Sequence, residues 1–305
     1  MLQSHWGELA ALLTACFWTV TSLVFEAAAK RIGSLTLNLI RLCLALFIYT
    51  FFLSFRRGLP FPSDASADAW LWLSLSGLVG FVVGDLLLFK AFVVVGARVS
   101  MLIMALVPPI TAITGWIVLG ETLTMLNIAG MIITITGISL VVLKKEVPET
   151  ITGIRNNFRF RYPVKGVLLA VGGAFGQAVG LVLSKFGMKD YDAFASSQIR
   201  VLAGMIGFIV LFFVLRRWNN VWAGIKNGKG MLLTSVGAVF GPFLGVSFSL
   251  VAIQNTNTGV AATIMSIVPV LIIPPAVILF KERVNLKEII GAVIAVGGVA
   301  LLFLF

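Results

Sequence analysis

Runs of about twenty apolar residues, parted by short polar breaks, follow one another along the whole chain. Ten can be drawn, at 6–28, 35–54, 70–93, 98–119, 125–143, 164–186, 194–214, 231–253, 259–280 and 286–304. At a rise of about 1.5 Å per residue, each is long enough to cross roughly 30 Å of hydrocarbon as a helix. Most breaks are short. The exceptions are 55–69, which holds Pro60 and Pro62, then 144–163, then 215–230. The pattern predicts an all-α polytopic membrane protein with ten transmembrane helices, and 144–163 is the one stretch polar enough to be a charged linker.

The pattern also occurs twice. Val107-Pro108, Glu121, Gly130 and Gly137 recur as Val268-Pro269, Glu282, Gly291 and Gly298, each pair 161 positions apart. Apolar coincidences are common in such a chain, but a Pro, a Glu and two Gly at fixed spacing are not. Gly7, Ala11 and Arg41 match Gly166, Ala170 and Arg200 at an offset of 159, so the repeat reaches the front of each half. The halves are 1–143 and 164–305, with five spans each. Five is odd, so the second half enters the membrane upside down, giving two inverted five-helix repeats. This arrangement recurs in secondary transporters, whose solutes bind between the repeats. Within each unit the Pro falls near mid-helix and the Glu just past the helix end. The glycines of the next run suit close helix contact.

Composition narrows the choice. The chain is 59% hydrophobic and 11% charged, with mean hydropathy +1.06, which excludes a soluble domain. A net charge of +11 would suggest nucleic acid in a soluble protein. Here the basic residues lie between spans and set topology, so no nucleic-acid partner is expected. With the N-terminus outside, sixteen loop Lys and Arg fall on the cytoplasmic side. Four, Arg56, Arg57, Lys185 and Lys189, fall outside. The positive-inside rule therefore predicts both termini outside and 144–163 in the cytoplasm. Cys16 and Cys43 lie in apolar runs and show no metal-ligand spacing, and His5 is the only histidine. The first run lacks a basic leader and a cleavage site and reads as a retained span. No G-x-x-x-x-G-K-[ST] occurs, so nucleotide does not power the chain directly. No metal or cofactor is expected.

The stretch from Gly84 to Leu143, with its "VPPITAITGWIVLGET", resembles the EamA repeat of the drug/metabolite transporter superfamily. So does "GVAATIMSIVPVLIIPPAVILFKER" in the second half. Arg41 and Arg200, early in the second span of each half, fit the same family. The resemblance implies ten helices and a central cavity lined by the first, third and fourth helices of each repeat. It also implies secondary transport of a small metabolite, amino-acid-like or another small organic solute, often outward. A bacterial cytoplasmic membrane is the expected location, with the lipid bilayer and the solute as partners. Substrate identity, coupling ion and oligomeric state are not legible. Lys281, where the first copy has Gly120, departs from the pattern and leaves the turn there open.

Ionisable residues inside spans are costly and mark function by default. Asp85 is the deepest carboxylate and the carrier if a proton couples to transport. Lys90 lies about 140° around the helix from it, so the two are not expected to pair. Arg41 sits at the depth of Asp85 on a neighbouring span. Arg200 is placed toward the opposite face, where Asp190 or Asp192 would be its partner. Arg41, Arg200 and Lys90 join Asp85 as candidates for coupling or gating. Trp18 and Gln177, repeat equivalents, are candidates for the solute pathway. So are Met104 and Met265, one turn before the repeated prolines, and the hydroxyls of Ser247 and Ser249. Pro108, Glu121, Gly130, Pro269, Glu282 and Gly291 are read as structural. The expected activity is secondary transport by alternating access, with no catalytic residues. A lipid-processing membrane enzyme or a non-transporting scaffold are the alternatives; no paired carboxylates or activated nucleophile support the former.

Overall fold

The computed structural model describes residues 5–119, 124–145, 158–256, 261, 264–281 and 284–304. The first half holds α1 (Trp6–Ile32), α2 (Ser34–Arg57), α3 (Ala67–Val95), α4 and α5 (Met125–Val142). In α4 a tight turn at Met104–Leu106 joins Ala97–Ile103 to Val107–Leu119. The second half holds α6 (Val164–Met188), α7 (Ala193–Leu215), a short α8 (Trp218–Lys226), α9 (Gly228–Asn255), α10 and α11 (Leu286–Leu304). In α10, Val268–Leu271 and Ile273–Phe280 are separate helical pieces. Among the described residues, eight helices of 18 residues or more are long and apolar enough to cross a membrane.

Two connections differ from expectation. Helix α8 lies within 215–230, which reads as a plain loop in the sequence. The segments flanking the central linker, β1 (Leu143–Lys145) and β2 (Phe158–Phe160), pair as a short antiparallel ribbon within the otherwise helical fold. Three residues of charged sequence carry no strand periodicity; pairing with each other satisfies their backbone groups. Glu121 and Glu282 lie outside the described residues. Lys281 caps α10 at φ 53°, ψ 32°, a left-handed conformation that glycine enters at least cost. The second copy thus keeps a turn of the kind glycine suits without a glycine.

Each helix divides its surface by period. On α2, Phe47, Phe51 and Phe55 form an exposed stripe at i, i+4 and i+8, which is the lipid face. Asn38, Arg41 and Tyr49 are buried on the other side.

Equivalent helices of the two halves pack against each other antiparallel. A Cβ on Gly137 would lie 2.6 Å from the Gly291 carbonyl oxygen, and one on Gly298 would lie 2.7 Å from that of Gly130. Rising numbers on α5 meet falling numbers on α11. The two contacts are images of one another, because Gly130 and Gly137 correspond to Gly291 and Gly298. The same holds elsewhere. Helix α3 crosses α6 through Gly80 and Gly84 against Gly180 and Gly176, and α9 crosses α1 through Gly241 and Gly245 against Thr21 and Trp18. Each half's first helix therefore lies on the other half's third helix. With little hydrophobic drive between helices in lipid, this close backbone approach supplies the packing.

The third helices share a second feature. Leu78–Asp85 in α3 and Val239–Gly245 in α9 are π-helical, at equivalent positions. Pro242 in the latter has no N–H to donate and forces the wider turn. Side chains take up carbonyls in these stretches. Tyr49 Oη donates to Pro242 O at 2.7 Å, and Gln177 Nε2 donates to Gly80 O at 3.2 Å.

This packing makes a direct prediction. A Cβ on Gly298 would lie 2.4 Å from the Thr134 backbone nitrogen, whereas one on Gly297 meets nothing within 4 Å. Gly298→Ala should cost about 1–3 kcal/mol through overpacking, and Gly297→Ala should be neutral or slightly stabilising. Thermal unfolding in detergent reads both; equal midpoints for the two variants would refute the α5–α11 contact.

Candidate functional site

A cavity of about 920 Å³ lies between the halves. Its walls come mainly from α1, α3, α4, α6, α9 and α10, with Arg41 and Arg200 reaching in from α2 and α7. Repeat equivalents face it in pairs: Trp18 with Gln177, Met104 with Met265, Pro108 with Pro269. The size suits a small organic solute.

The polar centre is built around Asp85, at the end of the π-helical stretch. Arg41 Nη2 donates to Asp85 Oδ2 and Gln177 Nε2 donates to Asp85 Oδ1, both at 2.5 Å. Arg41 is oriented from its own helix, since its Nε donates to Asn38 Oδ1 at 3.1 Å. Its guanidinium lies 4.6 Å from the Phe89 ring centre. Phe81 sits between two cations, with its ring centre 5.6 Å from the Arg41 guanidinium and 5.1 Å from that of Arg200. Such faces stabilise desolvated cations. Arg41, Asp85 and Arg200 are 3%, 6% and 5% exposed, so all three are removed from water.

Arg200 departs from the sequence expectation. It faces the Phe81–Asp85 region, while Asp192 pairs with Arg56 at 2.9 Å and caps α7 by accepting from the Ala195 N–H. Counting residues along α7 gives the depth of the Arg200 backbone, which packs on Gly77. The side chain then runs along α3 past Gly80, where a Cβ would lie 3.5 Å from Nη2. The absent side chains of Gly77 and Gly80 make that groove, and a depth count cannot see it. Among the described residues Arg200 makes no hydrogen bond or ion pair, and its Nε is buried without a partner.

The other candidates divide. Trp18, Gln177, Met104, Met265 and Ser249 line the cavity. Ser247 does not; it is buried and shares a 2.6 Å hydrogen bond with Tyr49 Oη. Lys90 is exposed on the outer side of α3 and away from Asp85, as its angular separation requires. Gly130 and Gly291 belong to the α5–α11 contact. Phe81, Asn38 and Tyr49 were not legible as site residues, since apolar or single polar positions in such a chain carry no signal on their own.

The two ends of the cavity differ. Exposed Lys185, Phe186 and Lys189 stand at one end, with Asn127 and Thr256. Charge pairs join the helix ends on the opposite side of the bundle. Glu26 accepts from Lys30 at 2.5 Å and from the Ala97 N–H at 2.7 Å, satisfying the first turn of α4. Glu288 at the start of α11 pairs with Arg98 and, at 3.3 Å, with Arg161. Tyr162 donates to Glu288 Oε1 at 3.0 Å, and its phenol is pushed up to about 12, by burial first and then by the Glu288 charge. It stays protonated, and hence a donor, throughout the neutral range.

The Arg41–Asp85 pair should behave as a unit. Arg41→Met alone strands a buried carboxylate and should cost about 3–5 kcal/mol, whereas Arg41→Met with Asp85→Leu should recover much of it. Unfolding midpoints of the singles and the double in detergent test this; strictly additive losses would show that the pair is not coupled.

Comparison with known proteins agrees with the architecture. The profile of the EamA-like transporter family matches residues 5–143 and again 164–304. The chain is similar to the mouse (Mus musculus) solute carrier family 35 member G1, at 26% identity over 193 residues. That match spans 63% of this chain and 50% of the mouse protein, so the chain aligns with about half the length of that relative. A solved crystal structure shares the fold at a TM-score of 0.61 and 17% identity, over 98% of this chain and 96% of its own. Two family matches in series, covering both halves of a helical membrane protein, place the chain in the EamA-like transporter family.

Proposed function

We propose that the protein is a secondary transporter that moves a small organic solute by alternating access, with ten helices in two inverted repeats of 1–143 and 164–305. The observation that carries this reading is the cavity. It lies between the halves and is lined by equivalent residues of both, with one buried carboxylate, Asp85, among its described lining. The antiparallel packing of equivalent helices supports the inversion: a pseudo-twofold in the membrane plane lets the two halves exchange conformations and turn the opening over. The name of the mouse relative, a solute carrier, points the same way.

In this reading the open end is the one that carries Lys185 and Lys189. The charge bias of the loops makes it the outer face of the cytoplasmic membrane. Asp85 is the coupling group. It is the one carboxylate among the described cavity residues, and its partners Arg41 and Gln177 come from opposite halves. A movement between the halves therefore changes what Asp85 bonds to, and so its hold on a proton. Arg41 fixes the carboxylate and Gln177 reports the position of the other half.

The experiments are direct. In proteoliposomes, Asp85→Asn should abolish accumulation driven by a pH difference alone but leave solute exchange at equal pH within about threefold of wild type. Accumulation by Asp85→Asn under a pH difference would remove Asp85 from coupling. No flux of any solute in the wild type, across amino acids, organic acids, sugars and nucleosides, would leave the scaffold alternative standing. For sidedness, a single cysteine placed in 144–163 of a cysteine-free chain should resist an impermeant thiol reagent in intact cells; ready labelling would reverse the orientation.

A further inference from the structure

At the buried centre of the described cavity lining the charges do not balance. Its described lining holds Arg41, Arg200, Lys185 and Lys189 against one carboxylate, Asp85. The two lysines are exposed at the mouth. The two arginines are buried, and Asp85 is already bonded to Arg41 and Gln177. A buried guanidinium with no carboxylate bonded to it is expensive in a membrane interior and is retained only for a purpose.

Repeat symmetry shows which partner Arg200 lacks. Arg41 and Arg200 are equivalents, 159 positions apart. Arg41 is neutralised by Asp85 on the third helix of its own half. At the offset of 161 that relates α3 to α9, the counterpart of Asp85 is Val246. Val246 lines the cavity, as Arg200 does. Where symmetry calls for a carboxylate, the protein supplies a valine on the cavity wall. The guanidinium is aimed into the cavity with its Nε unbonded, and Phe81 holds its face. A planar fork of donors is suited to a carboxylate.

We propose that Arg200 is the anion subsite of the cavity and that the transported solute is an organic monoanion whose carboxylate takes the place opposite Arg200 that Asp85 takes opposite Arg41. This rests on the transport reading and specifies its substrate class. One carboxylate brings the Arg41–Asp85–Arg200 cluster to neutrality, whereas a phosphate dianion would overshoot it. The rest of the wall, with Trp18, Phe89, Met104 and Met265, is apolar or aromatic and accepts a hydrocarbon body. Lys185 and Lys189 at the mouth raise the local concentration of anions.

The test uses the full chain in nanodiscs and in proteoliposomes, with three series of probes: aryl and alkyl monocarboxylates such as 3-phenylpropanoate, their neutral amides, and the matching phosphonates. Binding is read by thermal stabilisation and transport by flux. Carboxylates should stabilise the wild type at concentrations about tenfold or more below those of the amides, and Arg200→Gln should erase that preference. Arg200→Lys should retain part of it. The unliganded Arg200→Gln protein should be at least as stable as wild type, because an uncompensated buried charge has been removed; a merely structural cation would give the opposite result. Amides equal to carboxylates, a preference that survives Arg200→Gln, stabilisation by phosphonates alone, or no stabilisation by any probe would each overturn the subsite. Carboxylate binding without flux would keep the subsite and remove the transport reading. Flux of neutral solutes unaffected by Arg200→Gln would do the reverse.

Discussion

Three charged groups buried away from water govern the middle of this bundle. Arg41, Asp85 and Arg200 come from three helices, and Gln177 from a fourth joins them. In hydrocarbon a charge needs a partner, which Arg41 and Asp85 find in each other, while Arg200 lies against the Phe81 ring. The Arg41–Asp85–Gln177 bonds fix where α2, α3 and α6 can stand, and α7 lays Arg200 along α3. Asp85 can reach Arg41 and Gln177 together because α3 comes close to α6 through Gly80, Gly84, Gly176 and Gly180. The wide π-helical turn ends at Asp85, so the carboxylate leaves the helix at the point where its regular stacking is broken. The carbonyls there are not abandoned, since the Gln177 amide that bonds Asp85 also bonds Gly80.

Symmetry and its breaking divide scaffold from chemistry. The scaffold elements come in pairs: the π-helical stretches, the glycines of α5 and α11, the prolines of α4 and α10, the two arginines. The chemical elements do not. Asp85 answers to Val246, Gln177 to Trp18, and Gly176 to Phe17. A duplicated fold gives two interchangeable halves, which an alternating opening requires. A site that binds one solute in one orientation requires those halves to differ where they face each other. The differences gather around the cavity, with Val246, Gln177 and Trp18 all on its wall.

How much of this is legible in the sequence depends on range. The helices are written in the hydrophobic runs, because burial in lipid demands about twenty apolar residues whatever the tertiary structure. The duplication is written in Pro108, Pro269 and the four glycines, residues whose backbone demands are local and specific. The Arg41–Asp85 pairing follows from similar depth on neighbouring spans. The π-helical stretches do not show, since seven or eight residues carry too little periodicity to separate them from an ordinary helix. Arg200 shows as a charge but not as a neighbour of Phe81, because its reach depends on two missing side chains on another helix. Ser247 shows as a hydroxyl and is absorbed by Tyr49, a contact nearly two hundred residues away in the chain. In each case the failure lies in a side chain whose partner is set by tertiary packing alone.

The same electrostatics bears on the transport cycle proposed above, with Asp85 as its coupling group and Arg200 as its anion subsite. Between its two open forms an alternating-access protein passes through a state closed at both ends, in which the cavity loses bulk water. With Asp85 charged, the empty cluster carries one net positive charge, and closing around it adds a desolvation cost that the open form avoids. A bound carboxylate cancels that charge, so with Asp85 charged the loaded carrier closes more easily than the empty one. A proton on Asp85 restores the positive charge and, for the same Coulombic reason, tightens the hold on the anion. Proton and anion then favour each other's binding. In that proposed cycle a single unmatched arginine, left by one valine where symmetry would place an acid, would link solute recognition to proton binding and to the ease of closure.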